Sequence, residues 1–361
     1  MEGLGLNREF WRDRRVLVTG HTGFKGGWLS LWLQALGAKV AGFALPPPTT
    51  PSLFTTGGVA EGMDSRFADL RDPRQVLAAA RAADPEIVLH LAAQPLVRQS
   101  YADPVETYAT NVMGTVHLLE AVRQLPAVRA VVIVTSDKCY ENREWVWGYR
   151  ETEPLGGFDP YGSSKGCVEL LTAAYRNSFF QPSRHSGHGV AIATARAGNV
   201  IGGGDWAADR LVPDCLRAID AGTPLRLRYP DAVRPWQHVL DPLAGYLDLA
   251  ERLHVEGADF SEAWNFGPSD EDARPVHWVV EQLIRGCGSR MSWEREPSPQ
   301  PHEATNLRLD CSKARSRLGW RARWPLPVAL EKICAWHKDF GRGANMHDFT
   351  LGQIGEFEAV S

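Results

Sequence analysis

At 361 residues, 44% hydrophobic and 23% charged, the chain has the make-up of a globular enzyme that buries a large core. A formal charge of −4 leaves no basic excess to neutralise a phosphate backbone and argues against nucleic acid as a partner. No run approaches the ~20 apolar residues of a membrane span, and six scattered cysteines without a CxxC pair fit a reducing cytoplasm and no metal site.

Strands are predicted at 15–19, 39–43, 87–91, 131–135 and 190–196 from short β-branched runs. Helices are predicted between them at 28–36, 73–83, 105–123 and 161–175 from apolar residues at helical spacing. This alternation implies an α/β fold with a doubly wound, parallel Rossmann-type sheet covered on both faces. Residues 1–198 are expected to form the dinucleotide-binding domain with the catalytic residues. Residues 199–342, richer in Pro, Trp and Arg, read mainly as a smaller mixed α/β substrate lobe, with some segments returning to the first domain. Residues 343–361 read as a tail or an oligomer contact. The proline-rich stretch 46–51 and the insert 141–159 are long enough to be functional or mobile loops.

The first strand runs into Gly20-His-Thr22-Gly23-Phe24-Lys25-Gly26 and then a helix. Glycines at that spacing let backbone approach a pyrophosphate, and the helix N-terminus supplies free amides and a positive dipole. A glycine turn made only for helix packing is the plainer alternative. The acidic residue that often ends the second strand and holds the adenosine ribose is missing from Gly42-Phe-Ala-Leu-Pro46, and no arginine replaces it, so this position does not separate NAD from NADP. Asp69-Leu70 could frame the adenine, or Asp69 could cap a surface turn.

Tyr161-Gly-Ser-Ser-Lys165 places a phenol and an ammonium one helical turn apart. The lysine charge is expected to lower the tyrosine pKa, so that the phenol can act as a general base. The fourth predicted strand ends in Thr135-Ser136-Asp137-Lys138, and such strand ends open on the ligand crevice of a doubly wound sheet. Read alone, Ser136-Asp137-Lys138 is a polar strand end with a solvated ion pair.

Taken together, these residues resemble the extended short-chain dehydrogenases/reductases that act on nucleotide sugars and, among them, the CDP-glucose 4,6-dehydratases. The resemblance covers nearly the whole chain. It rests on the glycine loop, His90-Leu91-Ala92-Ala93-Gln94-Pro95, Asn111, the Tyr161/Lys165 pair, Arg196-Ala-Gly-Asn199-Val-Ile-Gly-Gly-Gly-Asp-Trp206, Arg234-Pro-Trp236-Gln-His238 and Pro301-His302-Glu303. Asp137-Lys138 is its most specific piece, since the similar dTDP-glucose dehydratases carry Asp-Glu there and epimerases of the fold lack the pair.

The resemblance implies NAD bound by the glycine loop, Leu91–Ala93, Asn111, Tyr161 and Lys165, and catalysis by Ser136, Asp137, Lys138, Tyr161 and Lys165. It implies a CDP-sugar held by Gln94, Asn199 and Arg234, with His302, Glu303 and Trp206 as further candidates. Packing is an equal alternative for Trp206 and Trp236. A cytoplasmic homodimer joined through a four-helix bundle, able to pair into a tetramer, and a place in deoxysugar biosynthesis of the lipopolysaccharide O-antigen kind are also implied. The alternatives are an epimerase or reductase on another nucleotide sugar, and an NAD-binding sensor without catalysis.

Overall fold

A computed structural model describes residues 7–298 and 306–360. Its central sheet has seven strands: β1 Arg15–Thr19, β2 Lys39–Ala44, β3 Asp64–Phe67, β4 Ile87–His90, β5 Ala130–Val134, β6 Ala191–Arg196 and β7 Ala263–Asn265. The order is β3-β2-β1-β4-β5-β6-β7 with every pairing parallel. Helices are α1 Phe24–Ala35, α2 Pro73–Ala83, α3 Gly114–Val122, α4 Pro160–Ser178, α5 Leu211–Ala221, α6 Leu240–Glu256, α7 Val276–Gly286, α8 Leu326–Gly341 and α9 Met346–Glu358.

Alternate residues of each inner strand feed different cores, because successive strand side chains point to opposite faces. Val16, Val18, Ile87, Leu89 and Val132 join the cluster that holds Trp28 and Trp32 of α1 and Leu243 and Leu247 of α6. Leu17, Val88, Val131 and Ile133 join the cluster with Val76 of α2, Leu118 of α3 and Val168 of α4. Burial on both faces explains why β5 reads as an unbroken apolar run and why β4 and β6 are apolar but for His90, Thr194 and Arg196, all buried.

The helix starts are written in the sequence. Asp72-Pro73, Asp103-Pro104 and Asp159-Pro160 each set an aspartate cap before a proline, and each carboxylate accepts a backbone N–H of the first turn. The helix predicted over 105–123 is in fact interrupted: Pro104–Tyr108 and α3 flank a single π-turn, Ala109–Met113, which carries Asn111. Such insertions recur at functional sites.

Beyond residue 199 the chain divides its work. α5, α7 and α8 bury Cys215, Val279, Val280, Leu283, Leu330 and Ile333 in a third core beside three two-stranded ribbons. α6 instead packs on the β5–β6 face, and β7 extends the sheet beside β6. The last residues are not a free tail. α9 lies on α1, where Phe357 meets Trp32 at 5.6 Å and Glu358 accepts the Trp32 indole N–H at 2.7 Å. Its buried stripe of Met346, Thr350, Gln353, Ile354 and Phe357 includes two polar residues, which hides the apolar period in the sequence.

Candidate active site

The glycine loop folds tightly on itself and onto the end of β4. Gly20 has a φ of 78°, and a Cβ there would fall 2.7 Å from the Ala92 nitrogen; one on Gly26 would fall 2.1 Å from the Gly20 carbonyl oxygen. Thr19 Oγ1 accepts the Ala92 N–H at 3.1 Å, so the loop and the Leu91–Ala93 segment are tied together. Gly23 caps α1 without a side chain, which leaves the first amides of that helix facing outward. Thr22 Oγ1 donates to the Leu45 carbonyl at 2.9 Å and fixes the loop to the end of β2. This cradle fits the pyrophosphate of a dinucleotide.

On the adenosine side the expected contacts are spent elsewhere. Asp69 is held by Arg71 at 2.7 Å, and the Leu70 side chain packs so closely on Gly114 that a Cβ there would lie 2.5 Å from it. His21, just after Gly20, is buried under the end of β2 with Nε2 2.7 Å from Ser65 Oγ, and burial lowers its pKa to about 4.

Asn111 reaches the crevice from the π-turn. Its Oδ1 accepts the Gln94 N–H at 2.8 Å, and its Nδ2 donates to the Gln94 carbonyl and to Ser164 Oγ at 2.8 Å, bracing the loop against the helix of the Tyr/Lys pair. The Gln94 side chain is used on Leu96 of its own loop and on Thr107 of the helix Pro104–Tyr108.

β5 ends at Val134, and Ser136 caps a short 3-10 turn, Asp137–Cys139. Ser136 Oγ accepts the Lys138 N–H at 3.2 Å and donates to Asp137 Oδ1 at 3.0 Å, which leaves Asp137 Oδ2 buried without a partner. Gly198 is required opposite it, since a Cβ there would fall 1.7 Å from that oxygen. Burial raises the Asp137 pKa against the opposing pull of Lys138, Ser136 and Arg234. The carboxyl is thereby biased to its neutral, donating form.

α4 aligns Tyr161, Lys165 and Glu169 along one face. Burial raises the Tyr161 pKa to about 12, offset by the Ser136 hydrogen bond and the Arg210 charge. The expected lowering of this phenol by Lys165 is therefore not met, and the cation acting on it is Arg210. Lys165 donates to the Val134 carbonyl at 3.1 Å, and burial lowers it to about 8. A second amine, Lys25, donates to Tyr246 Oη of α6 at 3.2 Å and is lowered to about 7, first by burial and then by Lys165 and Arg210.

The structure thus gathers Ser136, Asp137, Lys138, Tyr161, Lys165 and Lys25, with Arg234 close enough to act on Asp137 and Asn199 next to Gly198 at a left-handed φ of 48°. Trp206 goes elsewhere, packing edge-on against Trp336 at 5.5 Å and Phe340 at 5.1 Å. His302 and Glu303 lie outside the described residues. Arg210, ion-paired to Asp205 at 3.0 Å just before α5, and Tyr246 of α6 have no sequence signal that marks them apart from ordinary loop and core residues. Glu169 could have been found from its i, i+4 spacing to Lys165.

Residues 17–333 match the family model described as GDP-mannose 4,6 dehydratase. The chain is 56% identical over 356 residues to the CDP-glucose 4,6-dehydratase of Salmonella typhimurium, with 99% of each chain covered. Two solved structures share the fold at 22% identity and a TM-score of 0.78. One is the UDP-glucose 4-epimerase of Thermotoga maritima, covering 90% of this chain and 99% of that one. The other is the dTDP-glucose 4,6-dehydratase of Streptomyces venezuelae with NAD bound, covering 91% and 98%. Among the described residues, no helix is long and apolar enough to cross a membrane.

Proposed function

The chain belongs to the GDP-mannose 4,6-dehydratase family, and from that premise we propose that it dehydrates CDP-D-glucose to CDP-4-dehydro-6-deoxy-D-glucose, as a hydro-lyase using NAD. The observation that carries this reading is the 56% identity, over 99% of both chains, to a CDP-glucose 4,6-dehydratase.

The glycine loop, the Leu91–Ala93 segment and Lys165 would hold NAD, which when bound would supply the acceptance of a hydride from C4 and its return to C6. The residues of the chain move the protons. Tyr161 takes the proton of the sugar 4-hydroxyl, as C4 becomes a ketone, when it stands as its phenolate, the form that Ser136 and Arg210 favour against its burial. The ketone acidifies the C5–H, and Lys138 removes that proton and returns one to C5 as the hydride reaches C6. Asp137, whose buried carboxyl favours the protonated form, gives its proton to the 6-hydroxyl, which leaves as water. Arg234 and Asn199 hold the diphosphate, for which a guanidinium fork is suited.

Val105 and Met113 on the run 104–122 and Leu170 on α4 are exposed apolar side chains. They support pairing of two subunits through a four-helix bundle. A cytoplasmic place in deoxysugar biosynthesis for O-antigen accompanies this reading.

The test is incubation of the protein and NAD with CDP-glucose and, separately, with dTDP-, UDP- and GDP-sugars, following the alkaline absorbance of a 4-keto-6-deoxy sugar. Product from CDP-glucose alone is expected; absence of product from every sugar overturns the reading.

A further inference from the structure

Glu169 sits on α4 one turn beyond Lys165 and two beyond Tyr161, fully inside the protein. Both of its oxygens are occupied. Oε1 accepts the Thr135 hydroxyl at 2.5 Å, and Oε2 accepts the Thr194 hydroxyl at 2.7 Å and Arg196 Nη2 at 2.8 Å. Arg196 in turn donates to Tyr140 Oη at 2.6 Å and to the Glu151 carbonyl at 3.1 Å, and Tyr140 donates to Asn265 Oδ1 at 2.8 Å. Thr135 and Tyr140 stand on either side of Ser136, Asp137, Lys138 and Cys139, so this network grips both ends of the segment that bears three of the proposed catalytic groups.

Such a buried ion pair is seldom kept for stability, because the desolvation of its charges offsets their attraction. We propose that Glu169 is a positioning residue for the reaction, serving as the counter-charge of Lys165 and, through Thr135, as the anchor of the Ser136–Lys138 turn. This inference rests on the dehydratase reading above.

The groups facing Lys165 are few. Glu169 on its own helix favours its ammonium form, Cys139 of the turn is a thiol kept neutral by burial, and Lys25 of α1 and His90 of β4 are the opposing neighbours. His90 is held neutral, since burial lowers its pKa to about 3. Around Glu169 stand Arg196 and Thr194 of β6, Thr135 after β5, Cys139, and Arg176 from its own helix. Glu169, one helical turn from Lys165, is therefore the carboxylate whose charge opposes the loss of the Lys165 proton that burial favours.

The experiment is the pH profile of kcat for CDP-glucose turnover by the holoenzyme as wild type, Glu169→Gln, Glu169→Asp and Thr135→Val. In Glu169→Gln the alkaline limb, where Lys165 gives up its proton, moves to lower pH by about 1 unit or more. Glu169→Asp restores the limb, and Thr135→Val lowers kcat without moving it. Glu169→Gln strands the Arg196 guanidinium, so Glu169→Gln/Arg196→Gln, which removes both charges together, gives the same reading if the single variant does not fold. A limb that coincides with wild type in folded charge-deleted protein overturns the inference and leaves Glu169 a structural residue. Failure of the wild type to turn over CDP-glucose instead overturns the dehydratase reading, so the two failures are told apart.

Discussion

Two buried polar clusters lie side by side at the C-terminal end of β5, and they are built on opposite terms. In the one around Glu169, both carboxylate oxygens are hydrogen-bonded, and of the Arg196 guanidinium only Nε lacks a partner. In the one around Tyr161, a carboxyl oxygen of Asp137 has no partner, and burial pushes an acid up and two amines down. Of the two clusters, the one with an unmet carboxyl oxygen is the one in which the proposed proton transfers take place, and the satisfied cluster next door holds it in shape. Marginal stability is surrendered in one place and geometry secured in the other.

This contrast can be broken from either side. The largest effect is expected for Tyr161→Phe, which should lower kcat by about 10²–10⁴-fold, read as loss of the alkaline keto-sugar absorbance, with NAD binding retained. Lys138→Met comes next; mass spectrometry of the product formed in deuterium oxide should show loss of solvent label at C5 along with loss of turnover. Both outcomes place the chemistry in the unsatisfied cluster.

On the satisfied side, Arg196→Met leaves the Glu169 carboxylate buried without its partner and should cost about 3–5 kcal/mol in urea unfolding. Lys165→Met should do the reverse and raise the thermal midpoint at pH 7 while abolishing activity. Burial favours the neutral amine, moving its pKa from 10.5 in the unfolded chain to about 8. The penalty removed by the variant is therefore complete below about 8 and fades as pH rises toward 10.5. A midpoint unchanged at pH 7 would mean that the Lys165 site exacts no such penalty. The smallest effect belongs to Trp206→Phe, about 1 kcal/mol of lost aromatic packing with Trp336 and Phe340. KM for CDP-glucose should not change; a raised KM would return Trp206 to the substrate site.

Most of the first six strands and the helices between them are legible in the sequence because strands buried on both faces are rich in apolar residues, and the starts of α2, Pro104–Tyr108 and α4 each carry an Asp-Pro cap. All five predicted strands are present, displaced by a residue or so at their ends. β7 escaped notice because three residues, Ala263–Asn265, have no period to detect. The π-turn at Asn111 is equally silent, since one extra residue in a helical turn leaves the apolar spacing almost intact. Of the site, Tyr161, Lys165 and the Ser136–Lys138 turn could be read from their spacing and their place after a strand. Arg210 and Tyr246 could not, because they reach the pocket from α5's leading loop and from α6 by tertiary packing alone. The sign of the Tyr161 shift was also misread: sequence shows a neighbouring lysine but not the desolvation that outweighs it.

The late return of the chain to its sheet bears on how the molecule is made. A ribosome delivers β1 to β6 well before Ala263–Asn265, so until that segment emerges β6 is an open edge with a row of unpaired amides and carbonyls. The face later covered by α6 is bare for the same interval, and Trp32 of α1 waits longer still, for α9. The nucleotide-binding half is thus a fragment that cannot close by itself. Expressed alone to residue 198 it should collect as insoluble material, and co-expression with the remainder should rescue it by strand completion.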